Sequence, residues 1–347
     1  MTKTSAPGGE HQLEIMSPQL VDSTTSHVML ALTAGIRLHH GKFAFLSRHI
    51  SRLQSAAKTA DIPIPCAEDL TKMLQATIDH NSMSDNVHAR LMITRGDKKT
   101  PSQHPANLVS GPNVVIIAEH KRADPTAAAG GLTLLTSTIR RPPPDTLDQR
   151  LNCHSKLHEV IALIQAVKAG ADEALMLDPH GCVATCNATN FFIVASGTVI
   201  TSTGVSPLQS ALYLHHSLHM DVLSCIQTWC PDQQCLCMHA LFLDVKVEFT
   251  AWGLPAAGMY NLHGITREVV LEVAEGAGIP TAARPFPLCD VYGADEAFVT
   301  GTFGGLTPVA QVDGRSIGTG QVPGPMTKHL QALYAEAVSA DVASSWV

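Results

Sequence analysis

The chain has 347 residues, 45% of them hydrophobic and 15% charged, and a net charge of −7. That length has room for two domains of ordinary size, and the apolar content excludes a disordered chain. The negative balance argues against bulk capture of nucleic acid, and no run of about eighteen uncharged apolar residues offers a membrane span.

The opening residues, MTKTSAPGGE, lack the basic start and apolar core of a secretory signal, so the expected compartment is the cytoplasm. The nine cysteines then read as free thiols. Four of them, Cys225, Cys230, Cys235 and Cys237, lie near His239 and invite a zinc reading. They contain no C-x-x-C pair, so no metal is expected.

Residues 1–34 are rich in Ser and Thr and show little periodicity. GKFAFLSRHISRLQSAAKTADI starts as an alternating piece and becomes an amphipathic helix, with Ile50, Leu53, Ala56 and Ala57 at helical spacing. CAEDLTKMLQATIDHN predicts a second helix. HARLMITRG and NVVIIAEHK predict strands. The prolines of IRRPPPDTLDQ exclude a helix and suggest a linker. A helix follows Lys156 and ends at Gly170. DEALMLDPHGCVATCNATNFFIVASGTVIT reads as a strand ladder with turns at DPHG and ASG. TREVVLEVAEGAGI is a helix with Gly278 near its C-terminal end. GADEAFVTGTFGGLTPVAQVDG gives a strand, a small-residue loop and a strand, and MTKHLQALYAEAV is the last helix.

In LNCHSKLHEV one lysine, Lys156, stands just before a long apolar helical run. Three other features suit an anion. The amides of Ile265 and Thr266 and the Thr266 hydroxyl sit at the positive end of a helix dipole, although a plain N-cap threonine gives the same pattern. The glycine-rich TGTFGG turn lets amides converge, although it also reads as a tight strand connection. Arg52 projects from its helix and suits a phosphate, although many such arginines are solvated surface groups. A lone amine with three phosphate contacts suggests pyridoxal 5′-phosphate, whose aldehyde bonds a lysine and whose ring is an electron sink.

The order of the motifs resembles the class IV aminotransferases, the fold-type IV pyridoxal-phosphate enzymes. These include branched-chain and D-amino-acid aminotransferases and aminodeoxychorismate lyase. The matching pieces are GIRLHHGKFAFLSRHISRLQSAAK, RLMITRG, SKLHEVIALIQAVKAGADEALMLDPHG, NATNFFIV, GITREVVLEVAEGAGIP and ADEAFVTGTFGGLTPV. The resemblance implies an α+β, two-domain fold. A divergent segment, 1–34, precedes a small α/β domain, 35–122, and a linker, 123–150. A larger pseudo-barrel domain, 151–345, follows, with the cofactor between the two and usually a homodimer.

The same resemblance makes Lys156 the covalent and proton-moving lysine. Arg52, Ile265, Thr266 and Thr302 would hold the phosphate, and Asn190 would support the cofactor strand. Arg37 and Arg90 would steer a substrate carboxylate. The implied activity is transfer of an amino group from an amino acid to a 2-oxo acid. The alternatives are a β-eliminating lyase of the aminodeoxychorismate type, or a catalytically impaired relative. No nucleic-acid or membrane partner is implied.

The chain departs from the family at several positions. Thr185 stands where most members carry a glutamate that keeps the pyridine nitrogen protonated. Ile161 replaces the tyrosine of branched-chain members. Thr33 and Ala34 replace a bulky aromatic and a glutamate, which puts the first strand and one pocket wall in doubt. Residues 205–258 interrupt the pattern, and removing them restores it in frame. That block holds four cysteines, four histidines and two of the three tryptophans. Its ends are codable as splice signals, so a retained intron read through in frame is the expectation.

Overall fold

The computed structural model describes residues 30–100, 103–122, 129–203 and 260–344, with the backbone of 2–5 and 14–15. The 205–258 block and its cysteine window lie outside the described residues. No helix among the described residues is long and apolar enough to cross a membrane.

The first layer is a six-stranded antiparallel sheet. Its strands are β1 (Thr2–Ser5), β2 (Glu14–Ile15), β3 (Ala31–His39), β4 (Lys42–Phe43), β5 (Val87–Thr94) and β6 (Asn113–His120), in the order β2-β1-β6-β5-β3-β4. Alternating burial along β3 is the period of a sheet with one packed face. Two helices cover that face, α1 (Leu46–Thr59) and α2 (Ala67–His80), through Ile50, Leu53, Leu70 and Leu74. The strand in doubt is therefore present. It begins at Ala31, ahead of the expected boundary at Gly35.

The second layer is a nine-stranded mixed sheet. It contains β7 (Leu132–Thr136), β8 (Glu173–Leu177), β9 (Val183–Cys186), β10 (Asn190–Ala195), β11 (Thr198–Thr201) and β12 (Thr281–Ala283). It is completed by β13 (Glu296–Gly301), β14 (Gly305–Val312) and β15 (Arg315–Ser316). The order is β12-β11-β10-β13-β14-β7-β8-β9, with β15 on β14. The edge strand β9 is joined to the interior strand β10 through the tight turn 187–189, where Cys186 N donates to Thr189 O at 2.9 Å. That connection curls the sheet. Phe192 and Phe298 stack at 4.8 Å between β10 and β13. Helices α5 (Ile265–Gly276) and α7 (Pro325–Ala343) cover them with Val270, Ala274 and Leu330.

Two expectations need correction. The stretch 123–150 is not only a linker, because β7 lies inside it and pairs in parallel with β14 and β8. The proline run also holds one helical turn, α3 (Pro144–Leu147). Pro144 stands at its first position, where the missing N–H has no partner to lose. The remaining helices are α4 (Leu157–Lys168) and α6 (Leu288–Tyr292).

The two layers meet where Ala44 and Phe45 pack on Ile265, Val269 and the α7 residues Tyr334 and Val338. Phe45 N donates to Asp341 Oδ2 at 2.6 Å, and Arg48 grips Glu272 at 2.7 and 2.9 Å. A second seam runs beside β3: Thr33 N donates to Asn152 O at 2.8 Å and His154 N to Ala31 O at 3.0 Å. This seam fixes the chain just before Lys156.

Candidate active site

Lys156 is the N-cap of α4, and its N–H donates to His154 O at 2.8 Å. The amine bends over the first helical turn and lies 3.2 Å from Glu159 Oε1 and 3.1 Å from Oε2. Glu159 is only 8% exposed. Arg141 Nη1 donates to the same Oε1 at 2.6 Å, and Arg141 Nε donates to Tyr260 O at 3.1 Å. Burial draws the Arg141 guanidinium down from its usual range, and the Glu159 charge opposes that. Neither Glu159 nor Arg141 was a candidate from the sequence. A first-turn glutamate reads as a solvated dipole partner, and the arginine lies eighteen positions away.

The second centre is the entry to α5. Gly264, not a threonine, is its N-cap, so Thr266 sits inside the first turn. The N–H groups of Ile265 and Thr266 have no acceptor within the helix and carry the positive end of its dipole. Asn190 Nδ2 donates to Leu262 O at 2.9 Å. Arg52 Nη1 donates to His263 O, also at 2.9 Å. Two successive carbonyls are thus held from β10 and from α1. With Arg141 on Tyr260, the segment 260–264 is gripped at three points.

Arg52 and Ile265 open on one cavity of about 750 Å³, lined also by Ser51, Ser55, Arg150 and His263. Burial pushes Arg52 down to about 10, with Glu268 opposing, so it stays charged at neutral pH. A guanidinium with spare donors beside a helix N-terminus is a set that fits a phosphate. Thr266 is buried, and its hydroxyl is bonded with that of Tyr334, whose own titration burial moves upward.

Thr302 lies half-buried in the turn between β13 and β14. Arg37 Nη1 donates to the carbonyl of the next residue, Phe303, at 2.9 Å, and its guanidinium stacks on that ring at 5.2 Å. Lys121 Nζ also lies over the ring, at 4.5 Å. Arg37 is therefore engaged with the Thr302 turn, and burial lowers it from its usual value. Arg90 on β5 is exposed. His154 is drawn down by burial and then by the charges of Arg90 and Lys156.

The buried Thr185 hydroxyl donates to Thr189 O at 2.7 Å. Its proton is committed, which leaves the oxygen lone pairs. Thr189 Oγ1 in turn donates to Glu173 Oε2 at 2.7 Å, and burial raises Glu173 above its ordinary range. Glu173, like Arg141 and Glu159, was missed because its partner is set by the curl of the sheet.

A family profile described as amino-transferase class IV matches residues 32–211 and 249–312, well over half of the chain. The chain belongs to the class IV aminotransferase family. The unmatched stretch between those spans falls within 205–258, and the match starts one residue into β3. Among relatives, this class IV chain is 32% identical over 301 residues to branched-chain-amino-acid aminotransferase-like protein 2 of Arabidopsis thaliana. That alignment covers 86% of the chain and 44% of the relative, so the chain spans under half the length of that protein. It is 29% identical to a putative branched-chain-amino-acid aminotransferase of Methanocaldococcus jannaschii, over 90% of the chain and 86% of the relative. In fold it is similar to the crystal structure of the Escherichia coli branched-chain amino acid aminotransferase. The TM-score is 0.74 at 21% identity, over 96% of this class IV chain and 95% of the other.

Proposed function

We propose that the chain is a pyridoxal-phosphate-dependent aminotransferase, moving an amino group from an amino acid to a 2-oxo acid. The observation that carries this is Arg52 on His263 O at the α5 N-terminus, with Lys156 tied to the same segment 260–264 through Glu159 and through Arg141 on Tyr260 O. The cofactor supplies an aldehyde for an amine and a ring that takes up the electrons freed at the substrate α carbon. Lys156 provides the amine and moves the proton at the α carbon. Arg52 and the amides of Ile265 and Thr266 hold the phosphate, with Thr302 closing it from the β13–β14 turn.

Asn190 keeps the α5 entry in place. Thr185 offers lone pairs, not a proton, to the pyridine nitrogen. Arg90, exposed beside His154 and Lys156, steers a carboxylate. Arg37 acts one step back, by holding the Thr302 turn. Titration of the protein with pyridoxal phosphate tests the reading. An absorbance band that appears for the wild type, is absent in Lys156→Ala and maps to Lys156 after borohydride reduction is the expected result. Amino donors are then screened with pyruvate and 2-oxoglutarate. Pyruvate released without an acceptor would point to the lyase.

The proposed assembly is a homodimer. Leu157, Val160, Ile161, Ile164 and Val167 form one outward stripe on α4, with exposures from 39% to 74%. Such a stripe at helical spacing is a surface that association buries. Light scattering on Val160→Glu/Ile164→Glu should give one chain's mass where the wild type gives two. The described cysteines are free thiols, which supports a cytosolic compartment.

A further inference from the structure

We propose that Glu159, clamped by Arg141, is the parking site of the Lys156 amine whenever that amine is not covalently engaged. The inference rests on the reading of Lys156 above. Glu159 is a positioning residue here, because it acts through the lysine.

Burial carries the argument. A glutamate in the first turn of a helix already gains from the dipole while exposed. On α4 the exposed face is instead apolar, and the carboxylate turns inward to a contact with the amine at 3.1 Å. Taking a carboxylate out of water is costly unless it is paired and bonded. Arg141, itself 3% exposed, supplies that pairing at 2.6 Å and is pinned by Tyr260 O. The carboxylate therefore cannot follow a mobile lysine. The lysine must come to it.

One anion is shared by two cations, so the amine is held without a counter-ion of its own. A side chain with four rotatable bonds gains a defined rest position in the first turn of α4, on a carboxylate that Arg141 ties to Tyr260 O. Rotamer freedom of a lysine is otherwise expensive to restrict. A released amine that docks there is held at one place instead of sampling its many rotamers.

The test is residue-resolved labelling of the cofactor-free protein. Reductive methylation with formaldehyde and cyanoborohydride is followed at Lys156 by mass spectrometry, with the exposed Lys58 and Lys72 as internal references. Glu159→Gln should speed labelling of Lys156 about tenfold relative to those lysines. That is the low end for a hydrogen bond to a charged group, as suits an amine side chain 39% exposed. Glu159→Asp, which withdraws the carboxylate without removing it, should fall between. Lys58 and Lys72 are already exposed and report only reagent and solution effects, so thermal melts of the wild type and both variants run alongside, and a faster Lys156 at an unchanged melting temperature isolates the contact. Equal ratios in wild type, Glu159→Gln and Glu159→Asp overturn the proposal. If Glu159→Gln does not fold, the Asp variant decides alone. The labelling needs no cofactor, so a wild type that never takes up pyridoxal phosphate would overturn the reading of Lys156 separately.

Discussion

Asn190 lies so close over Gly264 that a β carbon on the glycine would stand 2.2 Å from its Oδ1. The asparagine cannot retreat, because it is buried and its Nδ2 holds Leu262 O. The absent side chain is what lets β10 pin the entry of α5.

Gly264→Ala should therefore cost about 1–3 kcal/mol, the range for overpacking a filled site. It should also weaken pyridoxal phosphate uptake, because the α5 amides shift with the entry. Adding Asn190→Ala relieves the clash, so the double variant should be more stable than the sum of the singles predicts. Thermal melts of the four proteins in the cycle check this, and strict additivity would sink it.

Arg52→Met should weaken pyridoxal phosphate binding about 10- to 100-fold, the range for lost hydrogen bonds to a charged group. Binding of pyridoxal, which lacks the phosphate, should barely change. Because burial brings Arg52 down to about 10, phosphate affinity of the wild type should also fall as pH rises through that value. Absorbance titrations with both ligands across pH decide the point. A variant that loses both ligands equally would place Arg52 elsewhere in the site.

His49 is buried, its Nδ1 has no partner, and burial and then the charges of Arg52 and His88 push it down to about 3. The unfolded chain takes the proton near 6.5, before the folded one. Stability is therefore lost as pH falls from about 6.5 toward 3 and levels off below. At pH 5 the share of this one group is about 2 kcal/mol. His39, His88, His154 and His158 shift in the same direction and add to the loss. Urea melts of His49→Leu at pH 7 and pH 5 should show a smaller gap than those of the wild type. An unchanged gap would assign the acid sensitivity to the other histidines.

The chain leaves the described structure after Thr203 and returns at Tyr260, and the two ends sit together. Asn261 Nδ2 donates to Ser202 Oγ at 2.6 Å, and both residues are buried. Joining Gly204 to Met259 and deleting 205–258 should leave a folded protein, since loop length changes closure cost only slowly. The shortened chain should keep the cofactor band in a pyridoxal phosphate titration. A deletion that expresses only as aggregate, while the full chain is soluble, would show that the block is needed.

The local grammar of the chain was legible without the structure. The spacing of Ile50, Leu53, Ala56 and Ala57 gave α1, and the step from Thr266 to Gly278 gave α5 and its end. What stayed hidden was non-local. β7 lay inside a stretch expected to link domains, because a short strand that pairs only with β14 and β8 has no periodicity of its own to display. Arg37 donates to the carbonyl of Phe303, a partner 266 positions away that no local pattern announces.

By itself the sequence determined most of the helices and strands, which lysine stands at a helix start, and which residues are candidates for a phosphate. These follow from side-chain period and chemistry within a few turns of chain. Only the tertiary structure decided that Glu159 turns inward to Lys156 and Arg141, that Asn190 closes over Gly264, and that Thr185 spends its proton on Thr189. The physical reason is that hydrogen bonds and ion pairs fall off within a few ångströms. Their partners are therefore fixed by how the sheet curls and how the two layers meet, which no local window of residues contains.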